Sequence, residues 1–258
     1  MIIGFLGTGV ITEAIIRGLY DVAGYDDTIL VSERSATRSA QLAHDYRKVR
    51  VVCDNRSLAE QSDWIMVSVL PEQVRDVLKE LDYRPDQKII SLAAGVSLEQ
   101  LRTWAAPATD IVRVIPMPPI EHGLGPVALC PPDAGAETLF EKIGTCVAVS
   151  DEAQFNLFGA ASALMADFFD QVADVTTWMS GKGMDLTTAA RYTTALYHAL
   201  SDLTVRQPVE ELHMMSAACQ TPGGLNAQFL ARRNQSGASR SLTEGLEDIL
   251  ARLESAAD

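Results

Sequence analysis

Histidine, cysteine, aromatic side chains and positive charge are all scarce in this chain. Four cysteines (Cys53, Cys130, Cys146 and Cys219) and four histidines are scattered over 258 residues. No Cys-x-x-Cys pair and no Cys/His cluster at zinc spacing occurs, so no metal site is expected. Isolated thiols suit a reducing compartment, and the apolar start "MIIGFLG" has no charged residues before it; the expectation is a cytoplasmic protein without a signal peptide. No apolar run is long enough to cross a bilayer, so no membrane partner is expected. Lys and Arg number 21 against 34 Asp and Glu, a formal charge of −13. That balance excludes broad phosphate-backbone binding, and nucleic acid is not expected as a partner. An anionic ligand must instead be met by a few local arginines or by helix N-termini.

What is present is a hydrophobic fraction of 47%, ample for a core, arranged in two regimes. Over residues 1–150, short β-branched runs alternate with amphipathic stretches. "MIIGFL", "TILVS" (28–32), "RVV", "WIMVSVL" (64–70), "KIISLA" (88–93) and "DIVRVIP" (110–116) read as strands. "ITEAIIRGLYDV", "ATRSAQLAHDY", "EQVRDVLKEL" and "SLEQLRTWA" read as helices, the last with Ser97 as N-cap. Near-continuous apolar strands between helices predict a mostly parallel sheet covered on both faces. "GPVALCP" and "TCVAVS" add two final strands, with an antiparallel edge. Over residues 151–258 the periodicity is helical, ending in "SLTEGLEDILARLESAA", where Ser241 and Glu244 have capping-box spacing. The fold class is thus an α/β domain, 1–150, followed by an all-α domain, 151–258. A helical domain of that size is hard pressed to bury its apolar faces alone, and pairing into a homodimer or higher homo-oligomer is expected.

The first strand runs into "GFLGTGVITEA", with Gly7-x-Gly9-x-x-Thr12. This is the dinucleotide fingerprint apart from Thr12, where Gly or Ala is usual and Thr is bulkier than close packing wants. The strand before it and the helix after it are the context that gives the motif meaning. Gly7 makes the tight turn, and Gly9 lets a pyrophosphate approach the backbone at the helix start, over Thr8, Val10 and Ile11. At the end of the second strand Glu33 stands where an acid would hold the ribose hydroxyls of NAD, but Arg34, Ser35 and Arg38 follow it. Two arginines and a hydroxyl clustered in an acidic protein favour the 2′-phosphate of NADP(H), with NAD(H) as the alternative.

Taken in order, "IIGFLGTGVITEAIIRGL", "SVLPEQV", "IISLAAGVSLEQL", "IVRVIPMPP" and "TPGGLNAQFL" resemble the pyrroline-5-carboxylate reductase family over nearly the full length. The resemblance implies a Rossmann-type N-terminal domain, and a helical C-terminal domain that interlocks with a partner subunit. It implies NAD(P)H-dependent reduction of a cyclic C=N bond, 1-pyrroline-5-carboxylate to L-proline, at a site between those parts. It places Val69, Leu70 and Pro71 over the cofactor, and Ala93, Ala94 and Gly95 with Met117 near the nicotinamide. The cyclic imino acid falls to Pro222, Gly223, Gly224 and Leu225, and the catalytic position to Asn226. Gly223 and Gly224 would offer N–H groups at a helix start to a carboxylate.

The departures cluster on the substrate side. Leu70 replaces a usual Lys, Met117 and Pro118 replace Asn-Thr in the "RVMPNTP" segment, and Asn226 stands where the family has Thr. "AASALMA" replaces "SGSGPAY", leaving Ser162 as its hydroxyl match. Alternatives are therefore a related NADP-dependent imine or carbonyl reductase with another substrate, or a non-catalytic NADP-binding sensor. Glu121 with His122, and Lys182, read as exposed loop residues; Tyr192, Tyr197 and His198 read as core or subunit interface.

Overall fold

The computed structural model describes residues 1–255. β1 (Ile3–Leu6) passes through the glycine turn into α1 (Val10–Arg17), which continues as a π-helical turn over Gly18–Val22. There follow β2 (Ile29–Ser32), α2 (Ala36–Asp45), β3 (Val49–Val52), α3 (Asn55–Gln61), β4 (Trp64–Val67), α4 (Pro71–Lys79), β5 (Lys88–Ser91), α5 (Leu98–Trp104) and β6 (Asp110–Pro116). A 3₁₀ turn (Pro118–His122) leads to β7 (Pro126–Cys130), α6 (Ala134–Phe140) and β8 (Thr145–Ala148).

These strands form one sheet in the order β3-β2-β1-β4-β5-β6-β7-β8. β1 to β6 run parallel; β7 is antiparallel to β6 and β8 parallel to β7, which gives the expected antiparallel edge. The chain reverses direction across the sheet between β1 and β4. In a doubly wound sheet that is where a crevice opens at the strand C-termini. Apolar layers cover both faces: Phe5, Ile15, Ile16, Leu19 and Phe140 on one, and Leu6, Leu58, Leu78, Leu101 and Phe155 on the other.

Two runs read as strands end early. β4 stops at Val67, the last rung of its pairing with β1 (Leu6 opposite Val67), because β1 turns away at Gly7; Pro71 then opens α4. β5 stops at Ser91 for a parallel reason, since Leu92 and Ala93 enter the loop that Gly95 turns with φ +74°. Two helices escaped the sequence reading, α3 and α6, both short. Each is capped by an aspartate: Asp54 accepts from the Ser57 N–H at 2.8 Å, and Asp133 from the Ala136 N–H at 2.7 Å.

The remaining helices are α7 (Glu152–Ser162), α8 (Leu164–Gly181), α9 (Leu186–Val205), α10 (Met215–Ala218), α11 (Leu225–Gln235) and α12 (Ala238–Ser255), with a 3₁₀ turn at Val209–Met214. One compact unit comprises Met1–Ala160 and the part of α12 from Leu250; the other comprises Ala161–Ile249. The change of periodicity at residue 150 thus marks the start of α7, whose Phe155 is buried in the α/β core. Gly159 lets α7 lie close, because a Cβ there would come within 2.9 Å of Leu253 Cδ1. The Ser241–Glu244 capping box does not form. α12 begins three residues earlier, after Gly237 with φ +77°, and Ser241 N–H bonds the Gly237 carbonyl as an interior helix residue. Glu244 accepts instead from Arg240 Nε at 2.7 Å.

Within the helical unit, Phe168 of α8 meets Tyr197 of α9 edge-to-face at 5.5 Å. Among the described residues, only Ala189 and Thr193 are buried there, while Trp178, Val205 and Phe229 are 64%, 83% and 74% exposed. A unit this small has too little interior for its apolar side chains.

Candidate functional site

A cleft of about 560 Å³ lies at the C-terminal ends of β1, β4 and β5. Its lining includes Gly7, Thr8, Gly9, Ile11, Arg34, Ser35, Val69, Leu70, Pro71, Ala93 and Ala94. Residues drawn from four separate stretches of sequence are brought together by the sheet order alone.

The glycine turn is fixed by hydroxyls. Gly7 N–H donates to Ser32 Oγ at 3.0 Å, and Thr8 Oγ1 donates to the Ser32 carbonyl at 2.8 Å, tying the turn to the end of β2. Gly7 has φ +98°, and a Cβ on it would sit 2.5 Å from the Ser68 carbonyl oxygen. Gly9 is the N-cap of α1, with φ −85° and no side-chain cap, and a Cβ there would meet nothing within 4 Å. The first N–H groups of α1, at Val10 and Ile11, therefore have neither intrahelical acceptors nor a capping side chain, beside open space. Such a helix start attracts an anion through its oriented N–H donors and the helix dipole. The Val10 side chain itself is exposed.

Thr12 is not the misfit its size suggests. It is fully buried; its hydroxyl donates to the Gly7 carbonyl at 2.9 Å and shares a hydrogen bond of 2.7 Å with the Ser68 hydroxyl. It links the glycine turn to the loop after β4, a role a third glycine cannot fill. Ser68, Gln73 and Leu92 also line the cleft and were missed in the sequence, because Ser68 and Leu92 lie inside apolar runs read as strand.

The four residues after β2 separate. Arg34 and Ser35 face the cleft, and the Ser35 hydroxyl makes no cap hydrogen bond although Ser35 is the N-cap of α2. Glu33 does not line the cleft but a neighbouring hollow, with Ser32, Arg34, Cys53, Asp54 and Asn55. Arg38 does not line the cleft: its Nε pairs with Glu13 at 2.8 Å and its Nη1 donates to the Thr8 carbonyl at 3.3 Å. Partial burial pushes the Glu13 carboxyl up, but hydrogen bonds from Arg17 and Arg38 outweigh it and hold the group below its ordinary range. Arg38 is thus engaged as a brace from α2 to the glycine turn.

Gly95 is buried and completes the turn behind Ala93 and Ala94. Met117 precedes the 3₁₀ turn, half-buried, and is not part of the cleft lining. Gly18 admits that turn, because a Cβ on it would lie 2.4 Å from the Ile120 carbonyl oxygen. Glu121 and His122 form an exposed pair 3.4 Å apart.

In the helical unit, Gly224 is the N-cap of α11, held by its N–H on the Thr221 carbonyl at 2.8 Å. Gly223 has φ +70°, and Leu225 is 84% exposed. Asn226 turns its amide back on its own loop, Nδ2 donating to the Cys219 carbonyl at 2.9 Å. Among the described residues there is no group of three or more His, Cys, Asp or Glu side chains placed to hold a metal ion, and no helix long and apolar enough to cross a membrane.

Residues 2–95, from β1 to the end of the cleft-lining loop, match the family model described as NADP oxidoreductase, coenzyme F420-dependent. The chain is 27% identical to the pyrroline-5-carboxylate reductase of Vibrio alginolyticus, over 98% of this chain and 96% of that one. It is 30% identical to the pyrroline-5-carboxylate reductase of Synechocystis sp., over 67% of this chain and 68% of that one. Its structure resembles that of a pyrroline-5-carboxylate reductase from Coxiella burnetii with a TM-score of 0.81 at 26% identity, covering 99% and 98% of the two chains.

Proposed function

The chain belongs to the pyrroline-5-carboxylate reductase family, and from that premise we propose that it reduces the C=N bond of a cyclic imino acid, 1-pyrroline-5-carboxylate, to L-proline with NADPH. It is an NAD(P)-dependent oxidoreductase acting on C=N bonds. The observation that carries the reading is the cleft: a helix start without a capping side chain, open space at Gly9, and a cation with a hydroxyl at its rim. These features fit a dinucleotide with a 2′-phosphate. When bound, the reduced nicotinamide supplies the hydride for the imine carbon.

The N–H groups at Gly9, Val10 and Ile11 would hold the pyrophosphate, and Arg34 with Ser35 the 2′-phosphate. Val69, Leu70 and Pro71 would lie along the cofactor, and Ala93, Ala94 and Gly95 would let a flat ring approach. The lining carries no carboxyl, imidazole or amine. With the hydride supplied by the cofactor, the protein's part would be to position the reactants, and the proton on the ring nitrogen would arrive with the iminium form of the substrate. We assign the substrate carboxylate to the start of α11, at Pro222, Gly223, Gly224 and Leu225, with Asn226 in the catalytic position. The exposed apolar side chains of the helical unit are assigned to pairing between subunits. A sedimenting mass equal to one 27.9 kDa chain would overturn that assignment.

A second reading, reduction of a different cyclic imine, is favoured by Leu70, which presents a 59% exposed apolar side chain on the cleft wall. Turnover of NADPH with pyrroline-5-carboxylate, pyrroline-2-carboxylate and uncarboxylated pyrroline separates the two. The first substrate is expected to be the fastest; turnover confined to either of the others replaces the first reading by the second. Tight NADPH binding with no turnover at all points to a sensor. Arg34→Ala is expected to weaken NADPH binding by about tenfold to a hundredfold, the worth of a charge-assisted hydrogen bond, while NADH binding changes little. An equal loss for both cofactors would remove Arg34 from phosphate recognition.

A further inference from the structure

We infer that Arg113 and Glu152 are a positioning pair for the Ala93–Gly95 loop, holding it from behind through the start of α5. This rests on the reading that the loop receives the nicotinamide. Arg113 stands on β6 directly opposite Ser91, the last residue of β5, at the point where the chain leaves the sheet for the cleft. It is 3% exposed, and its Nη1 donates to Glu152 Oε1 at 2.6 Å. The same carboxylate oxygen accepts from the N–H of Leu98, the first residue of α5, at 2.9 Å. One oxygen therefore joins β6, α7 and the N-terminus of α5.

The segment from Leu92 to Ser97 spans these two anchors. Its cleft side is Leu92, Ala93 and Ala94; its far end is set by the capping box in which the Gln100 N–H bonds Ser97 Oγ at 3.2 Å and Ser97 N–H bonds Gln100 Oε1 at 3.0 Å. A salt bridge that served only to fasten α7 to β6 would not need the bond to Leu98. The guanidinium lies over the Phe155 ring, 4.6 Å from its centroid, and Arg113 Nε has no hydrogen-bond partner among the described residues. Among the described residues Glu152 is thus the one carboxylate in a salt bridge with this buried cation, and a buried charge left without its partner disturbs its surroundings. Lysine is a poor substitute, since it lacks the planar face that stacks on Phe155.

The test uses Glu152→Gln and Arg113→Lys in the full-length protein, with three readouts. NADPH affinity, measured by fluorescence, is expected to stay within about threefold of the parent, because Gly9 and Arg34 are untouched. The kcat is expected to fall at least about tenfold, as for a reacting ring displaced by a fraction of an ångström. Hydrogen exchange at the Leu98 amide is expected to quicken at least about tenfold, because the anchoring hydrogen bond loses its charged acceptor in Glu152→Gln and the guanidinium that fixes that acceptor in Arg113→Lys. A lowered melting temperature with kcat and Leu98 exchange within twofold of the parent overturns the inference and leaves a plain structural staple. A proportional loss of NADPH affinity and kcat overturns it as well. Should Glu152→Gln fail to fold, Arg113→Lys, which keeps both charges, carries the same measurements. If the parent protein reduces no imine, the functional reading fails separately. Exchange at Leu98 still decides the pairing: NADPH is expected to slow it in the parent and not in the variants, and equal slowing in both overturns the inference.

Discussion

Gly9→Val is expected to fold nearly as stably as the parent protein and to bind NADPH at least about a hundredfold more weakly. A Cβ at this position meets no protein atom within 4 Å, so the substitution creates no clash in the free protein. The backbone is extended, with φ −85° and ψ −173°, a conformation valine accepts. The cost to stability is that of a poor N-cap, about 1 kcal/mol or less. The space the side chain fills, however, is the one from which an anion reaches the first N–H groups of α1. Two charge-assisted hydrogen bonds lost at roughly 1.5–3 kcal/mol each amount to a hundredfold or more in affinity. Titration of NADPH fluorescence, alongside a thermal melt, checks both halves. Unchanged NADPH affinity would remove the glycine turn from cofactor binding.

Gly7→Ala, two residues earlier in the same motif, is expected to do the reverse and damage the fold itself. Gly7 has φ +98°, where an L-residue pays about 1–2 kcal/mol. Its Cβ would lie 2.5 Å from the Ser68 carbonyl oxygen and 2.9 Å from the Ser68 carbonyl carbon. The atoms in the way are backbone at the end of β4, so relief requires moving a strand end, a further cost of about 1–3 kcal/mol. A urea midpoint lowered by the equivalent of at least about 2 kcal/mol is the expected result. NADPH binding falls with it, because Ser32 and Thr12 hold the turn through Gly7 backbone atoms. A midpoint within error of the parent would mean that β4 yields more easily than its place in the middle of the sheet suggests.

The two glycines read alike in the sequence, and the structure separates them. Motif spacing reveals that a backbone must come close to something, but not whether that something is Ser68 or a ligand. Apolar runs posed a similar ambiguity. "WIMVSVL" and "KIISLA" read as strands to their ends, yet Ser68–Leu70 and Leu92–Ala93 leave the sheet to line the cleft. Both a buried strand and a cleft wall call for apolar residues, so hydropathy cannot divide them. Arg34 and Arg38 pose the problem in charge: both follow β2, but helix α2 turns Arg38 toward Glu13 on α1 and leaves Arg34 at the rim.

The sequence by itself determined the order of the strands, the mostly parallel sheet with its antiparallel edge, the glycine turn and the family. Each of these is written in local signals: β-branched runs, glycine spacing, helical periodicity, and short segments in a set order. Only the tertiary structure decided which arginine faces the cleft, that Thr12 and Ser68 share a hydrogen bond across 56 residues, and that Glu152 reaches both Arg113 and the start of α5. Those relations depend on which strands become neighbours and at what register. A pairing of strands is a property of the whole sheet, and no single stretch of chain carries it.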